Sequence, residues 1–147
     1  MYDTILVPID LDSPESYSLV LPRAVEAARN CGGRLVLLTV VPDDYARFAQ
    51  IYTEEDLGAK LRAHAKEDLD KLIEERVPKD VTVRELVYSG RPARTILRVA
   101  EDLPADLIVM APHDPGSTTF RLGSVTEKVV RHAPCTMMIM RDRQVGD

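Results

Sequence analysis

Short β-branched apolar runs, each too brief for an amphipathic helix, alternate along this chain with longer segments whose apolar residues recur at helical spacing. The first run, Thr4-Ile5-Leu6-Val7-Pro8-Ile9, is nearly uninterrupted, as expected of a strand covered on both faces. Residues 34–41 repeat the pattern before Pro42, residues 105–110 form another buried run, and residues 136–140 form the last. Residues 81–88 alternate only in part, which predicts a strand nearer an edge.

Between these runs lie helix signals. Ser13 stands as a cap ahead of Pro14 at the first helical position, and the segment carries Leu19, Val20, Ala24, Val25 and Ala28 to a stop at Gly32-Gly33. Thr53 before Glu54, Glu55 and Asp56 marks a second start, because acidic residues suit the N-terminal dipole. Leu57, Leu61, Ala65, Leu69, Leu72 and Ile73 follow at helical spacing, and Pro78 ends the run. Pro92 opens a third helix through Ile96, Leu97, Val99 and Ala100, and a fourth begins at Gly123. Residues 43–52 have no clean period and read as an irregular excursion; residues 142–147 read as a frayed tail. Five strands alternating with four helices predict a three-layer α/β fold, an open five-stranded parallel sheet with helices on both faces and right-handed crossovers.

At 147 residues the chain is read as one domain, 1–147, large enough to bury about two-thirds of its unfolded surface without a staple. Its two cysteines, Cys31 and Cys135, lack paired spacing and matched histidines, and read as small buried hydrophobes. The net charge is -5, and no basic stripe with interleaved aromatics is present, so neither nucleic acid nor an anionic membrane is the expected partner. The start, Met1-Tyr2-Asp3-Thr4, has no basic leader, and no apolar run approaches the ~20 residues that span a bilayer. The expected location is the cytoplasm.

In an open sheet of this kind, ligands sit beyond the carboxyl ends of the strands, where the winding reverses. That rule selects Pro8, Ile9 and Asp10 after the first strand, Val40 and Val41 after the second, Ser89, Gly90 and Arg91 after the third, and Met110, Ala111 and His113 after the fourth. All converge on the helix starting at Gly123 if the first and fourth strands are neighbours. There, Leu122-Gly123-Ser124-Val125-Thr126-Glu127 puts a glycine and hydroxyls at a helix start after a polar loop, which presents backbone N–H groups to a phosphate. The same residues also read as a capping box of Ser124 with Glu127. Asp10 likewise reads either as a ligand contact or as a turn residue capping the next segment.

The remaining candidates carry less chemistry. His113 is either a phosphate contact or a solvated turn residue, His132 serves the dipole at a helix end, and His64 stands on a charged face with no evident partner. Arg91, Arg94 and Arg98 recur at helical spacing, as an anion patch or a solvated face. Met137, Met138, Ile139 and Met140 make an apolar last strand whose unpaired edge invites a partner. No nucleophile elbow, zinc-spaced histidine cluster or Walker loop is present, so the chain is not read as an enzyme.

The run Ile5-Leu6-Val7-Pro8-Ile9-Asp10, the segment Ser89-Gly90-Arg91-Pro92 and the block from Leu122 to Cys135 together resemble a universal stress protein of the UspA superfamily. The resemblance covers the whole chain and implies an adenine nucleotide alpha-hydrolase-like, Rossmann-like fold and a homodimer paired through the last strands. It also implies ATP or another adenine nucleotide as a regulatory ligand. Asp10 would lie near ribose, phosphates or a magnesium ion, Val40 against adenine, and Gly123, Ser124, Val125 and Thr126 on the phosphates through N–H groups and hydroxyls.

The chain departs from the family's ATP signature, Gly-x2-Gly-x9-Gly followed by Ser or Thr. Ala111 and Asp114 stand in place of its first two glycines and the loop is one residue shorter, which limits backbone approach to a phosphate. Pro112, His113, Pro115, Thr118 and Thr119 resemble a subgroup with an Ala-x-His-x-Pro loop. The resulting expectation is a cytoplasmic, dimeric stress-response protein in which adenine nucleotide orders the loop beginning at Ala111 and alters a surface seen by a regulatory protein partner. The alternative is an interaction module of the same family that binds no nucleotide.

Overall fold

The computed structural model of the chain describes residues 1–43, 54–112 and 122–142. Within these lie β1 (Thr4–Pro8), α1 (Pro14–Cys31), β2 (Arg34–Val41), α2 (Glu54–Arg76), β3 (Val83–Ser89), α3 (Pro92–Asp102), β4 (Leu107–Met110), α4 (Ser124–His132) and β5 (Thr136–Ile139). The strands form one parallel sheet in the order β3-β2-β1-β4-β5. Leu6 sits at the centre, paired with Val36 on one side and Ile108 on the other. The partly alternating third strand is an edge, as its pattern predicts.

Alternation along the strands sorts the core into two layers. Ile5, Val7, Leu35, Leu37, Leu107 and Val109 face α1 and α2, packing with Leu21, Ala24, Leu69 and Leu72. Leu6, Val36, Leu38, Ile108 and Met110 face α3 and α4, packing with Ile96, Val99, Ala100 and Val129. Burying each Val, Leu, Ile or Met among these contributes about 1.5–3 kcal/mol. Both faces are apolar because both are covered, which is why the strands read as continuous runs.

Local chemistry sets the joints. Pro14 starts α1 beside Ser13, but Ser13 makes no side-chain cap; its Oγ lies 2.8 Å from Ser16 Oγ and 3.3 Å from Glu15 Oε1. Neighbouring side chains thus outcompete the backbone for the hydroxyl. Gly32 closes α1 in the left-handed conformation, φ 65°. A Cβ on Gly33 would overlap the Tyr2 carbonyl oxygen, so glycine there lets β2 start directly alongside the N-terminal residues. Asp106 secures the same end of the sheet: one carboxylate oxygen accepts the N–H groups of Asp3, at 3.0 Å, and Thr4, at 2.9 Å. Cys31 and Cys135 are free thiols and only half-buried: Cys31 is the last residue of α1, and Cys135 stands just before β5. The cap at Thr53, the irregular excursion and most of the tail lie outside the described residues.

Candidate functional site

β1 leads through α1 to β2 and β3 on one side, whereas β4 and β5 lie on the other. Their carboxyl ends therefore part between β1 and β4, the switch point of the sheet. A cavity of about 740 Å³ opens there. Pro8, Ile9, Asp10, Val40, Met110, Ala111, Gly123, Ser124, Val125 and Thr126, drawn from four separate elements and their loops, all line it. His113 lies outside the described residues.

Hydrogen bonds across the strand ends hold this rim. The Ile9 N–H donates to the Leu38 carbonyl at 2.7 Å, and the buried Thr39 hydroxyl donates to the Ile9 carbonyl at 3.1 Å. Beyond β1 the chain turns at once. The Asp12 N–H donates to Asp10 Oδ1 at 3.0 Å, and the Ser13 N–H donates to the Asp10 carbonyl at 3.0 Å. Asp10 is thus the turn residue that its sequence position allows, with a carboxylate that is exposed at the cavity mouth and engaged through one oxygen.

The start of α4 carries no side-chain cap at Ser124. Gly123, at φ 87° and ψ 156°, is the capping position, Ser124 is the first helical residue, and no side chain caps the helix. Ser124 and Glu127 therefore form no capping box; the Glu127 N–H donates to the Gly123 carbonyl at 3.0 Å, as an ordinary helical bond. The N–H groups of Ser124, Val125 and Thr126 precede the first intrahelical bond and carry the positive end of the helix dipole. The Thr126 side chain is buried, and its hydroxyl donates to the Ala111 carbonyl at 3.2 Å, which fixes α4 against the end of β4.

Sequence reasoning misses the α2 wall. Leu61, His64, Ala65 and Asp68 line the cavity, with His64 Nε2 3.4 Å from Asp68 Oδ2; His64 therefore has the partner that the sequence did not reveal. The spacing of 61, 64, 65 and 68 marks one helical face, but only the fold shows that this face reaches the site. Ser16, Tyr17 and Val20 of α1 complete that wall. Asp10, Asp12 and Asp68 bring three carboxylates to the rim, and no Lys or Arg lines it among the described residues. Among those residues no group of three His, Cys, Asp or Glu could hold a metal alone.

Met137, Met138, Ile139 and Met140 are half-buried. Met137 and Ile139 pack on the α3 and α4 side, Met138 and Met140 on the other, and among the described residues β5 has a neighbour only at β4 in the sheet. No helix among the described residues is long and apolar enough to cross a membrane.

A family model described as the universal stress protein family matches residues 1–141. A universal stress protein of Thermus aquaticus, from the QAH/OAS sulfhydrylase 3' region, is 31% identical over 145 residues, spanning 96% of this chain and 100% of that protein. The solved structure of MJ0577 superposes with a TM-score of 0.80 at 25% identity, covering 97% of this chain and 98% of that one. UspA from Lactobacillus plantarum does so with a TM-score of 0.74 at 26% identity, covering 95% and 98%. More distant structures with the same fold include a universal stress protein in complex with cAMP, TM-score 0.63 at 22% identity, covering 95% of this chain and 97% of that one. The universal stress protein from Archaeoglobus fulgidus in complex with dAMP has a TM-score of 0.61 at 22% identity, covering 95% and 98%.

Proposed function

Because this chain belongs to the universal stress protein family and has its Rossmann-like, adenine nucleotide alpha-hydrolase-like fold, we propose that it is a regulatory protein binding an adenine nucleotide, ATP foremost. The observation that carries this reading is the uncapped start of α4 facing a cavity at the switch point of the sheet. The family members solved with cAMP and dAMP support adenine as the base.

ATP supplies a polyphosphate whose charge the site has to offset. The N–H groups of Ser124, Val125 and Thr126 receive the phosphates, and Gly123 lets the backbone enter α4 from a positive φ that a side chain disfavours. Val40 and Met110 pack against the base, beside Pro8 and Ile9. The Thr126 hydroxyl holds Ala111 in place, so Thr126 acts on the ligand through its backbone. With three carboxylates and no Lys or Arg in the described wall, phosphate binding needs a cation. Asp10, with one oxygen outside its turn, is suited to share a magnesium ion with the phosphates or to accept from the ribose. His113 extends this site in sequence.

The protein is a single domain that acts by shifting populations rather than by catalysis: nucleotide joins the ends of β1 and β4 and alters the surface offered to a regulatory partner. It dimerises through the free edge of β5, where Met137 to Met140 supply an adaptable apolar strand, and works in the cytoplasm. Ala111, in place of a signature glycine, favours a second reading as an interaction module without nucleotide.

The test is to denature the purified protein, identify any released nucleotide, and titrate ATP with and without magnesium. Released ATP, or saturable binding strengthened by magnesium, is the expected result. An absence of binding at millimolar ATP gives the interaction module instead.

A further inference from the structure

The ion pairs among the described residues lie on one side of the molecule. Arg23–Glu26, Arg29–Asp80, Lys66–Asp70 and Lys66–Glu85 all involve α1, α2, β3 or the turn before β3. The α3–α4 layer is different. Arg91, Arg94 and Arg98 are exposed along α3, and Lys128 and Arg131 along α4. None has an acidic partner among the described residues. The two helices share one core, with Val129 of α4 in the same cluster as Ile96 and Val99 of α3, so their outer faces form one surface.

We propose that this α3–α4 face is a docking surface for an acidic segment of a partner protein. Arg94 and Arg98 are one turn apart, about 6 Å along the axis, and Lys128 and Arg131 form a second row on a helix about 8–10 Å away. Carboxylates at i and i+4 of a partner helix match the first row. The Arg98 guanidinium lies 5.9 Å from the Tyr88 ring centroid, which orients it before any partner arrives. Val130, 40% exposed, adds an apolar contact next to Arg131 on α4.

A peptide fits this surface better than a nucleic acid. Glu101, Asp102 and Glu127 interrupt the bases, and the whole chain carries a net charge of -5, so a long polyanion meets repulsion that a short segment with matched spacing avoids. The surface stands apart from the nucleotide reading and does not need it.

The test uses the full chain and a fluorescent twenty-residue helical peptide with glutamate at every fourth position, a lysine counterpart, and a single-stranded DNA of twenty nucleotides. The glutamate peptide is expected to bind with an affinity that falls as salt rises, and the R94E/R98E variant, shown folded by circular dichroism, to bind at least tenfold more weakly. The Lys71→Glu variant, altered on the opposite layer, is expected to bind as the parent does. No binding at millimolar peptide in low salt, equal binding by R94E/R98E and the parent, or tighter binding of the DNA than of the peptide overturns the proposal.

Discussion

The Thr126 hydroxyl donates to the Ala111 carbonyl at 3.2 Å, joining the first turn of α4 to the residue after β4 across a separation of fifteen positions in sequence. Thr126→Val keeps the shape and leaves that carbonyl without its donor, at a cost of about 1–3 kcal/mol. Urea denaturation is expected to show the loss, and ATP affinity to fall with it. Unchanged stability would mean that the bond contributes nothing net.

Gly123→Val probes the same turn differently. A β-branched residue at φ 87° and ψ 156°, a region that is essentially glycine's alone, is strained by about 1–3 kcal/mol, and the start of α4 should shift while both core layers remain. Circular dichroism is expected to match the parent and ATP titration to show binding lost. Parent-like ATP affinity would move the phosphate site elsewhere.

Two adjacent glycines should separate cleanly. Gly32 has open space around a Cβ but a left-handed φ, so Gly32→Ala is expected to cost about 1 kcal/mol. Gly33→Ala drives a methyl onto the Tyr2 carbonyl and should cost several times more, because the start of β1 or β2 has to move. Paired urea midpoints measure the difference.

Glu85 gives stability a pH dependence of unusual sign. Burial first, then the neighbouring Asp70 carboxylate, raise its pKa above the ordinary 4.5, partly opposed by Lys66, whose ammonium lies 2.7 Å away. Glu85 Oε2 is buried without a donor, which a proton shared with Asp70 would satisfy. As pH rises past 4.5 the unfolded chain releases this proton while the folded chain keeps it, so stability falls until the folded group ionises. Asp70 works the other way: its pKa is lowered by hydrogen bonding with Glu85 and Lys66, and it contributes stability above the ordinary 3.8 that is lost in acid. Glu85→Gln is expected to stabilise the protein at pH 7 and to flatten the decline above 4.5 in urea titrations. A steeper decline would contradict the assignment.

Cys135 should react slowly in the folded protein. Burial, and secondarily the charge of Asp106, raise its pKa above the ordinary 9.0, so little thiolate is available. Iodoacetamide labelling at pH 8, followed residue by residue, is expected to accelerate at Cys135 when urea unfolds the chain. Equal rates would place the thiol in solvent.

The layers were legible because each depends on a local period: β1, β2 and β4 as unbroken apolar runs, α3 from Pro92 onward as a repeat of three and four. The ends of the strands at Pro8, Val40 and Met110 could be named as a site because parallel sheets bind there. The α2 wall was not legible, since Leu61, His64 and Asp68 look like an ordinary half-polar helix face until β2 and α1 place it over the cavity. Nor could sequence decide between Ser124 as a cap and as a first helical residue. That choice depends on the φ of Gly123, which the tertiary path into α4 sets.

The strand order also governs when the molecule can be completed. β1, made first, pairs with β2 soon afterwards, but its other neighbour is β4, and the Asp106 carboxylate that receives the Asp3 and Thr4 N–H groups is about a hundred positions downstream. On a ribosome adding about 5–20 residues per second, one side of the central strand stays open for roughly five to twenty seconds. During that interval a hydrophobic edge is available to any other unfinished chain, a kinetic hazard of long-range pairing that ends only when the last third of the polypeptide emerges.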